Sequence, residues 1–186
     1  MYKLKRDQFD VLDYLYENKE KTISIDAIAV ALHKKFSEVK SILKMLEEKG
    51  YVFDFLITDT GYTALEPYRV KRAVFIAAGF GTRLVPVTLN TPKPLVRVHG
   101  KRIIDGLIDA VLAAGIEEIY IVRGYLAEQF DQLLYKYPMI KFIENPAYNE
   151  TNNISSALCA RYLFSNAYLF EADLLLRKPE LIRSYQ

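Results

Sequence analysis

The groups able to do chemistry gather in one stretch, Arg72 to Leu95, which reads RAVFIAAGFGTRLVPVTLNTPKPL. Gly79 and Gly81 put no side chain between their backbone N–H groups and an approaching anion. Arg83 offers a forked cation and Lys93 a point cation, and both suit phosphate oxygens. Pro86, Pro92 and Pro94 stiffen the segment between them. Far along the chain, Asp173 follows an apolar run ending at Phe170, where a carboxylate is well placed for a magnesium ion. The sequence offers no paired nucleophile and base: Cys159 is its one cysteine, and His33 and His99 lie far apart. Cations, N–H donors and one carboxylate point to phosphoryl chemistry run by positioning and charge.

Two phosphate-loop patterns fail. The string G-x-x-x-x-G-K-[ST] does not occur. Gly79 and Gly81 fill the first two places of G-x-G-x-x-G, but Leu84 stands where its third glycine belongs. About twenty residues on, where an acid should meet ribose, the chain has Arg97, Val98 and His99.

These residues need a scaffold. Ala73 to Ala78 is an unbroken apolar run, which suits a strand buried on both faces of a parallel sheet. Further strands are predicted at Leu95–Val98, Glu118–Arg123, Met139–Ile143 and Ala167–Phe170. Amphipathic helices are predicted at Ile103–Ala114, Leu126–Tyr137, and from Asn152 or Asn153 to Phe164. Strand alternating with helix implies an α/β domain with a mostly parallel, Rossmann-like sheet. Ligands of such sheets sit at the carboxyl ends of the strands, where Gly79, Gly124, Asn145 and Asp173 all fall. From Leu174 on, the expectation is a loop and a short helix.

Residues 1–66 read differently. Phe9, Leu12, Leu15 and Tyr16 stripe a first helix. Ser24 caps a second through Leu32, Ser37 caps a third, and Gly50 stops it. Tyr51 to Ile57 is expected to be extended, and Thr58 opens a last short helix to Glu66. This segment carries ten basic and twelve acidic residues, net −2. DNA binding rests on cations, so a docking or regulatory role is favoured over duplex binding. Residues 67–71 read as a linker. Residues 67–186 hold fifteen basic and eleven acidic residues, net +4, on the side of the chain with the phosphate loop.

With 51% hydrophobic residues, 186 residues can build one ordinary domain or two small ones. There is no run of eighteen apolar residues and no apolar segment after the basic N-terminus, so neither a membrane span nor a secretory signal is expected. A single cysteine excludes an internal disulfide and fits a reducing, cytoplasmic setting.

The full string G-x-G-T-R-L-x-P-x-T-x-x-x-P-K-P-L resembles the signature of the nucleotidyltransferases that make nucleotide sugars and nucleotide alcohols. The segments from Val122 to Phe130, from Tyr148 to Ser156 and from Phe170 to Asp173 are similar to the phosphocholine cytidylyltransferase branch, which makes CDP-choline. The resemblance implies transfer of CMP from CTP to a phosphorylated alcohol such as phosphocholine, with pyrophosphate released and magnesium required. A sugar phosphate is the alternative acceptor, and a DNA-binding regulator using the nucleotide fold as a sensor the alternative function. The resemblance further implies catalytic roles for Arg83 and Lys93. It implies nucleotide binding at Ala77, Ala78, Gly79, Gly81, Thr82, Gly124, Tyr125, Asn153 and Ser156, and metal binding at Asp173. The first acid of the metal-binding element is Glu171, one methylene longer than the family's aspartate, and it is not assigned as a ligand. Residues 1–66 resemble a MarR-like winged helix-turn-helix, on the helix order and the segment TDTGYTAL, with an unusually short wing. Residues 72–186 are shorter than the family's catalytic domain. The expectation is the front portion of a longer protein, followed by the rest of that domain and a kinase-like domain.

Overall fold

The computed structural model describes residues 4–150, 153–178 and 182. The chain divides into two compact units, residues 1–69 and 70–186. The boundary falls at residue 69 because Tyr68 belongs to the first unit. Its hydroxyl accepts from the Leu4 N–H at 2.9 Å, and its ring lies 5.0 Å from that of Phe9.

In the first unit, α1 (Arg6–Glu17), α2 (Ile25–Ala31) and α3 (Phe36–Glu48) pack around Val11, Leu12, Leu15, Ile28, Val39 and Leu46. The Ser24 hydroxyl accepts from the Ala27 N–H and caps α2. The expected cap of α3 at Ser37 is corrected: the cap position is Lys35, two residues earlier, and α3 starts at Phe36. The Glu38 carboxylate accepts from the Lys35 N–H at 3.2 Å and satisfies the helix start from within. The segment expected to be extended folds back as a hairpin of β1 (Val52–Phe53) and β2 (Leu56–Ile57). Asp54 and Phe55 both take positive φ, 48° and 62°, the backbone of a tight two-residue turn. Thr58 caps α4 (Asp59–Leu65) by accepting from the Gly61 N–H.

The second unit is built on four parallel strands: β3 (Arg72–Ile76), β6 (Glu118–Arg123), β7 (Lys141–Glu144) and β8 (Ala167–Glu171), in the order β7-β6-β3-β8. A small antiparallel pair, β4 (Arg97–Val98) and β5 (Lys101–Arg102), turns at His99 and Gly100 and leads into α5 (Ile103–Ala113). One face of the sheet buries Ala73, Phe75, Ile119 and Ile121 against α5 and against Phe130 and Leu133. The other buries Val74, Ile76 and Val122 against Ala160 of α6 (Asn153–Ala160) and Leu163. Both faces of β3 are therefore covered, as its unbroken apolar run requires. Each of the larger side chains, the alanines excepted, contributes about 1.5–3 kcal/mol by leaving water.

The helix expected at Leu126–Tyr137 is a nine-residue stretch of 3-10 turns, Ala127–Tyr135, entered through Leu126 at φ 49°. Its carbonyls are taken by side chains. The Ala127 carbonyl accepts from Arg123 at 3.1 Å, that of Gln129 from the Gln132 amide at 2.9 Å, and that of Gln132 from Arg102 at 3.4 Å. These side-chain bonds hold the 3-10 turns to Arg123 and Arg102 on either side. The helix expected to reach Phe164 ends at Ala160 and continues as a 3-10 turn over Arg161–Leu163. Asn152 lies outside the described residues, as does part of the loop and helix expected after Leu174. Among the described residues no helix is long and apolar enough to cross a membrane.

Candidate functional site: a cleft at the strand ends

From β3 the chain builds outward through β6 to β7, then crosses to the far side of β3 to make β8. The crevice at such a reversal, beyond the carboxyl ends of the strands, is where open α/β sheets hold ligands. Here it lies past Ile76 of β3 and Glu171 of β8, which are paired in register.

A cleft of about 240 Å³ opens there, lined by Ile76, Ala77, Gly79, Gly81, Thr82, Arg83, Lys93, Pro94, Asn153, Glu171 and Asp173. Gly81 takes φ 63°, and a Cβ on it would stand 3.0 Å from Thr88 Cγ2 and 3.1 Å from Lys93 Cβ. The buried Thr88 hydroxyl donates to the Gly81 carbonyl at 2.9 Å. The glycine thus lets the loop close on itself and brings Lys93 over the strand ends. The Lys93 ammonium meets the Asp173 carboxylate in an ion pair, both side chains about a third exposed. Arg83 is exposed on the cleft wall and has no hydrogen-bond or ion-pair partner among the described residues.

The loop between Gly81 and Lys93 is held from the β6 side. The Tyr125 N–H donates to the Ala78 carbonyl at 3.1 Å, and its hydroxyl donates to the Leu89 carbonyl at 2.9 Å. The Gln129 amide donates to the Asn90 carbonyl at 2.9 Å. Phe80 packs against Tyr125 and Tyr148, with ring centroids 4.9 and 5.5 Å away. Tyr148 lies directly on Gly124, where a Cβ would come within 2.6 Å of it. Arg123, just before, has three side-chain anchors besides the Ala127 carbonyl. It pairs with Glu144 at 2.6 Å and Asp131 at 2.5 Å, and its guanidinium lies 4.0 Å over the Phe142 ring. Burial alone would lower its pKa, but the hydrogen bonds to Asp131 and Glu144 outweigh that and raise it.

The far wall is α6. Asn145, 2% exposed at the end of β7, donates from its amide to the hydroxyls of Ser155 (2.9 Å) and Ser156 (3.0 Å), and its carbonyl accepts from the Ala147 N–H at 3.0 Å. This buried network fixes the first turn of α6 to the sheet. Asn153, in that turn, donates to Glu171 at 2.8 Å.

Of the residues singled out from sequence, Ala77, Gly79, Gly81, Thr82, Arg83, Lys93, Asn153 and Asp173 share the one cleft. Ala78, Gly124, Tyr125 and Ser156 do not line it. Ala78 and Tyr125 tie the loop down, Gly124 makes room for Tyr148, and Ser156 is buried against Asn145. Sequence reasoning left out Glu171, which lines the cleft, and gave Asn145 only a place at a strand end. The one signal for Asn145 was a polar residue directly after an apolar strand, together with serines at the next helix start. The cleft's carboxylates fit magnesium, which takes one or two carboxylates and completes its shell with phosphate oxygens and water. Among the described residues there is no group of three or more ligating side chains, the pattern of an all-protein metal cage.

A family model described as Nucleotidyl transferase matches residues 72–168, more than half of the chain. A 2-aminoethylphosphonate cytidylyltransferase of Lancefieldella rimae is 45% identical over 113 residues, 60% of this chain and 46% of the relative. A choline-phosphate cytidylyltransferase of Streptococcus pneumoniae is 42% identical over 107 residues, 58% of this chain and 46% of the relative. The solved structure of CTP:phosphocholine cytidylyltransferase from Streptococcus pneumoniae superposes with a TM-score of 0.56 at 42% identity, covering 58% of this chain and 47% of that one. The chain spans about half the length of the curated relatives it matches. On its glycine loop, its parallel sheet and this match, the chain belongs to the nucleotidyl transferase family.

Proposed function

We propose that residues 70–186 carry the nucleotide-binding part of a cytidylyltransferase, which moves CMP from CTP to a phosphorylated small molecule such as phosphocholine. An oxygen of the acceptor's phosphate attacks the α-phosphorus in line. A new P–O bond forms, the α–β bridging bond breaks, and pyrophosphate leaves. The step asks for charge and alignment rather than proton transfer. The observation that carries the reading is the Lys93–Asp173 contact in the cleft lined by Gly79, Gly81 and Arg83. Backbone N–H groups of the glycine loop receive phosphate oxygens, and Arg83 and Lys93 neutralise the charge that grows on the leaving pyrophosphate. Magnesium, when bound, supplies further positive charge among those oxygens, and Asp173 is the residue that would hold it. Lys93 and Asp173 satisfy one another until a triphosphate takes the ammonium. The aromatic floor of Phe80, Tyr125 and Tyr148 lies beside the loop and supports it.

The cytidylyl choice rests on the 36–45% identity to three cytidylyltransferases named for different acceptors, a phosphonate, choline phosphate and phosphoglutamine. In the same reading, a kinase-like domain would supply the phosphorylated acceptor. Residues 1–69 serve as a winged-helix docking or regulatory module of the MarR-like kind, supported by the order α2, turn, α3, hairpin, α4. Titration calorimetry of the chain with CTP, UTP and GTP in magnesium tests the proposal. CTP binds at least about tenfold more tightly than the others. Equal binding of all three nucleotides removes the cytidylyl assignment, and binding of none removes the nucleotide site.

A further inference from the structure

Two carboxylates reach the cleft from the end of β8, and they keep different company. Asp173 meets the ammonium of Lys93. Glu171 meets a neutral amide, accepting from Asn153 Nδ2 at 2.8 Å. Among the described residues no cation pairs with Glu171. A cleft that gathers a triphosphate has a phosphate end, marked by Gly79, Gly81, Arg83 and Lys93. With no cation or metal beside it a carboxylate repels phosphate, and Glu171, whose partner is a neutral amide, suits a neutral, hydroxyl-bearing part of the ligand.

Glu171 is also rigidly placed. Its backbone pairs in register with Ile76, and the next residue, Ala172, donates to the Ile76 carbonyl at 3.1 Å. Asn153 is fixed through α6 and the buried Asn145 network. With one amide N–H spent on Oε1, two kinds of acceptor remain side by side: the Glu171 carboxylate and the Asn153 carbonyl oxygen. Two neighbouring acceptors suit two neighbouring hydroxyl donors, which is the chemistry of a ribose diol. A strand-end acid does the same work in dinucleotide folds.

We infer that Glu171 and Asn153 form a ribose-reading pair that makes this site select ribonucleotides over deoxyribonucleotides. The inference rests on the nucleotide-site reading above. The extra methylene of glutamate is what lets the carboxylate span from β8 to α6 and close the pair.

Titration of the chain with CTP, 2′-deoxy-CTP and 3′-deoxy-CTP tests this, in magnesium and again in EDTA. The wild type binds CTP about tenfold more tightly than at least one deoxy analogue, the size of a hydrogen bond to a charged acceptor. Glu171→Ala and the isosteric Glu171→Gln lower CTP affinity to that of the analogue and leave the analogue's own affinity unchanged, with or without metal. Asn153→Ala shifts the ratio in the same direction by less. Far-UV circular dichroism checks that each variant is folded. Equal wild-type affinity for all three nucleotides overturns the inference and leaves the nucleotide site standing. So does an equal loss for all three in both Glu171 variants, or a loss confined to magnesium, which would make Glu171 a metal ligand. A wild type that binds none of the three sinks both readings.

Discussion

Gly81 sets the positions of two side chains at once. Its φ of 63° and the 3.0 and 3.1 Å that a Cβ would leave to Thr88 and Lys93 mean that alanine there must displace one of them. Gly79, by contrast, has nothing within 4 Å of a built Cβ. Gly81→Ala is therefore expected to cost about 1–2 kcal/mol of stability through the left-handed backbone. By pushing Lys93 off Asp173, it should also weaken CTP binding about tenfold. Gly79→Ala should leave thermal stability nearly unchanged. Melting curves and CTP titration of the two variants check this, and equal stability losses would refute the distinction. The glycine pair, Arg83, Lys93 and Asp173 were legible because each chemical type stands at a strand end or in a motif string. Glu171 was passed over because its side-chain length departs from the motif. That same length carries it to Asn153.

At the scale of elements, apolar periodicity made the strands and helices legible and local hydrogen bonding decided the exceptions. Leu126, Phe130, Leu133 and Leu134 have helical spacing, yet the stretch is entered through the left-handed Leu126 and braced as 3-10 turns by bonds from Arg123, Gln132 and Arg102 to its carbonyls. The turn at Asp54 and Phe55 was illegible because neither residue is the Asn-Gly type that announces a tight hairpin. Helix α1 holds a conflict the sequence only hints at, three acids at Asp10, Asp13 and Glu17. Burial first, then the charges of Glu17 and Asp10, push the Asp13 carboxyl from 3.8 up to about 6. The folded chain therefore holds this proton over a range where the unfolded chain has released it. Its contribution to stability is complete below 3.8 and is lost as pH rises through about 6. The full displacement would be worth about 3 kcal/mol, cut to about 1 kcal/mol by solvent screening of a half-exposed side chain. Asp13→Asn should match wild type in denaturant melts near about pH 3.5 and exceed it by about 1 kcal/mol at about pH 7. A constant difference at both pH values would count against this account.

Across the whole molecule, charge divides as the fold does. Counted by unit, residues 1–69 carry net −1 and residues 70–186 net +3, and the structure adds how the cations are spent. Lys34 is paired with Asp7, and with Asp10 at 4.0 Å, while Lys44 of α3 faces Glu48 at 4.0 Å. Helix α3 is the element a winged-helix protein would lay in a DNA groove, yet it also exposes Glu38, Glu47 and Glu48. Duplex affinity rests largely on cations that displace counterions from DNA phosphates, so this mixed face has little to offer a duplex. Any retention of DNA at low salt should then come from the basic second unit, where, on the proposed function, a triphosphate would compete for the same charges. In filter binding at about 50 mM salt, the double variant Lys40→Ala and Lys44→Ala should hold duplex DNA as well as wild type, and CTP should displace it from both. A marked loss of binding in the double variant, with no displacement by CTP, would instead put α3 against phosphate and return the first unit to the DNA-binding class.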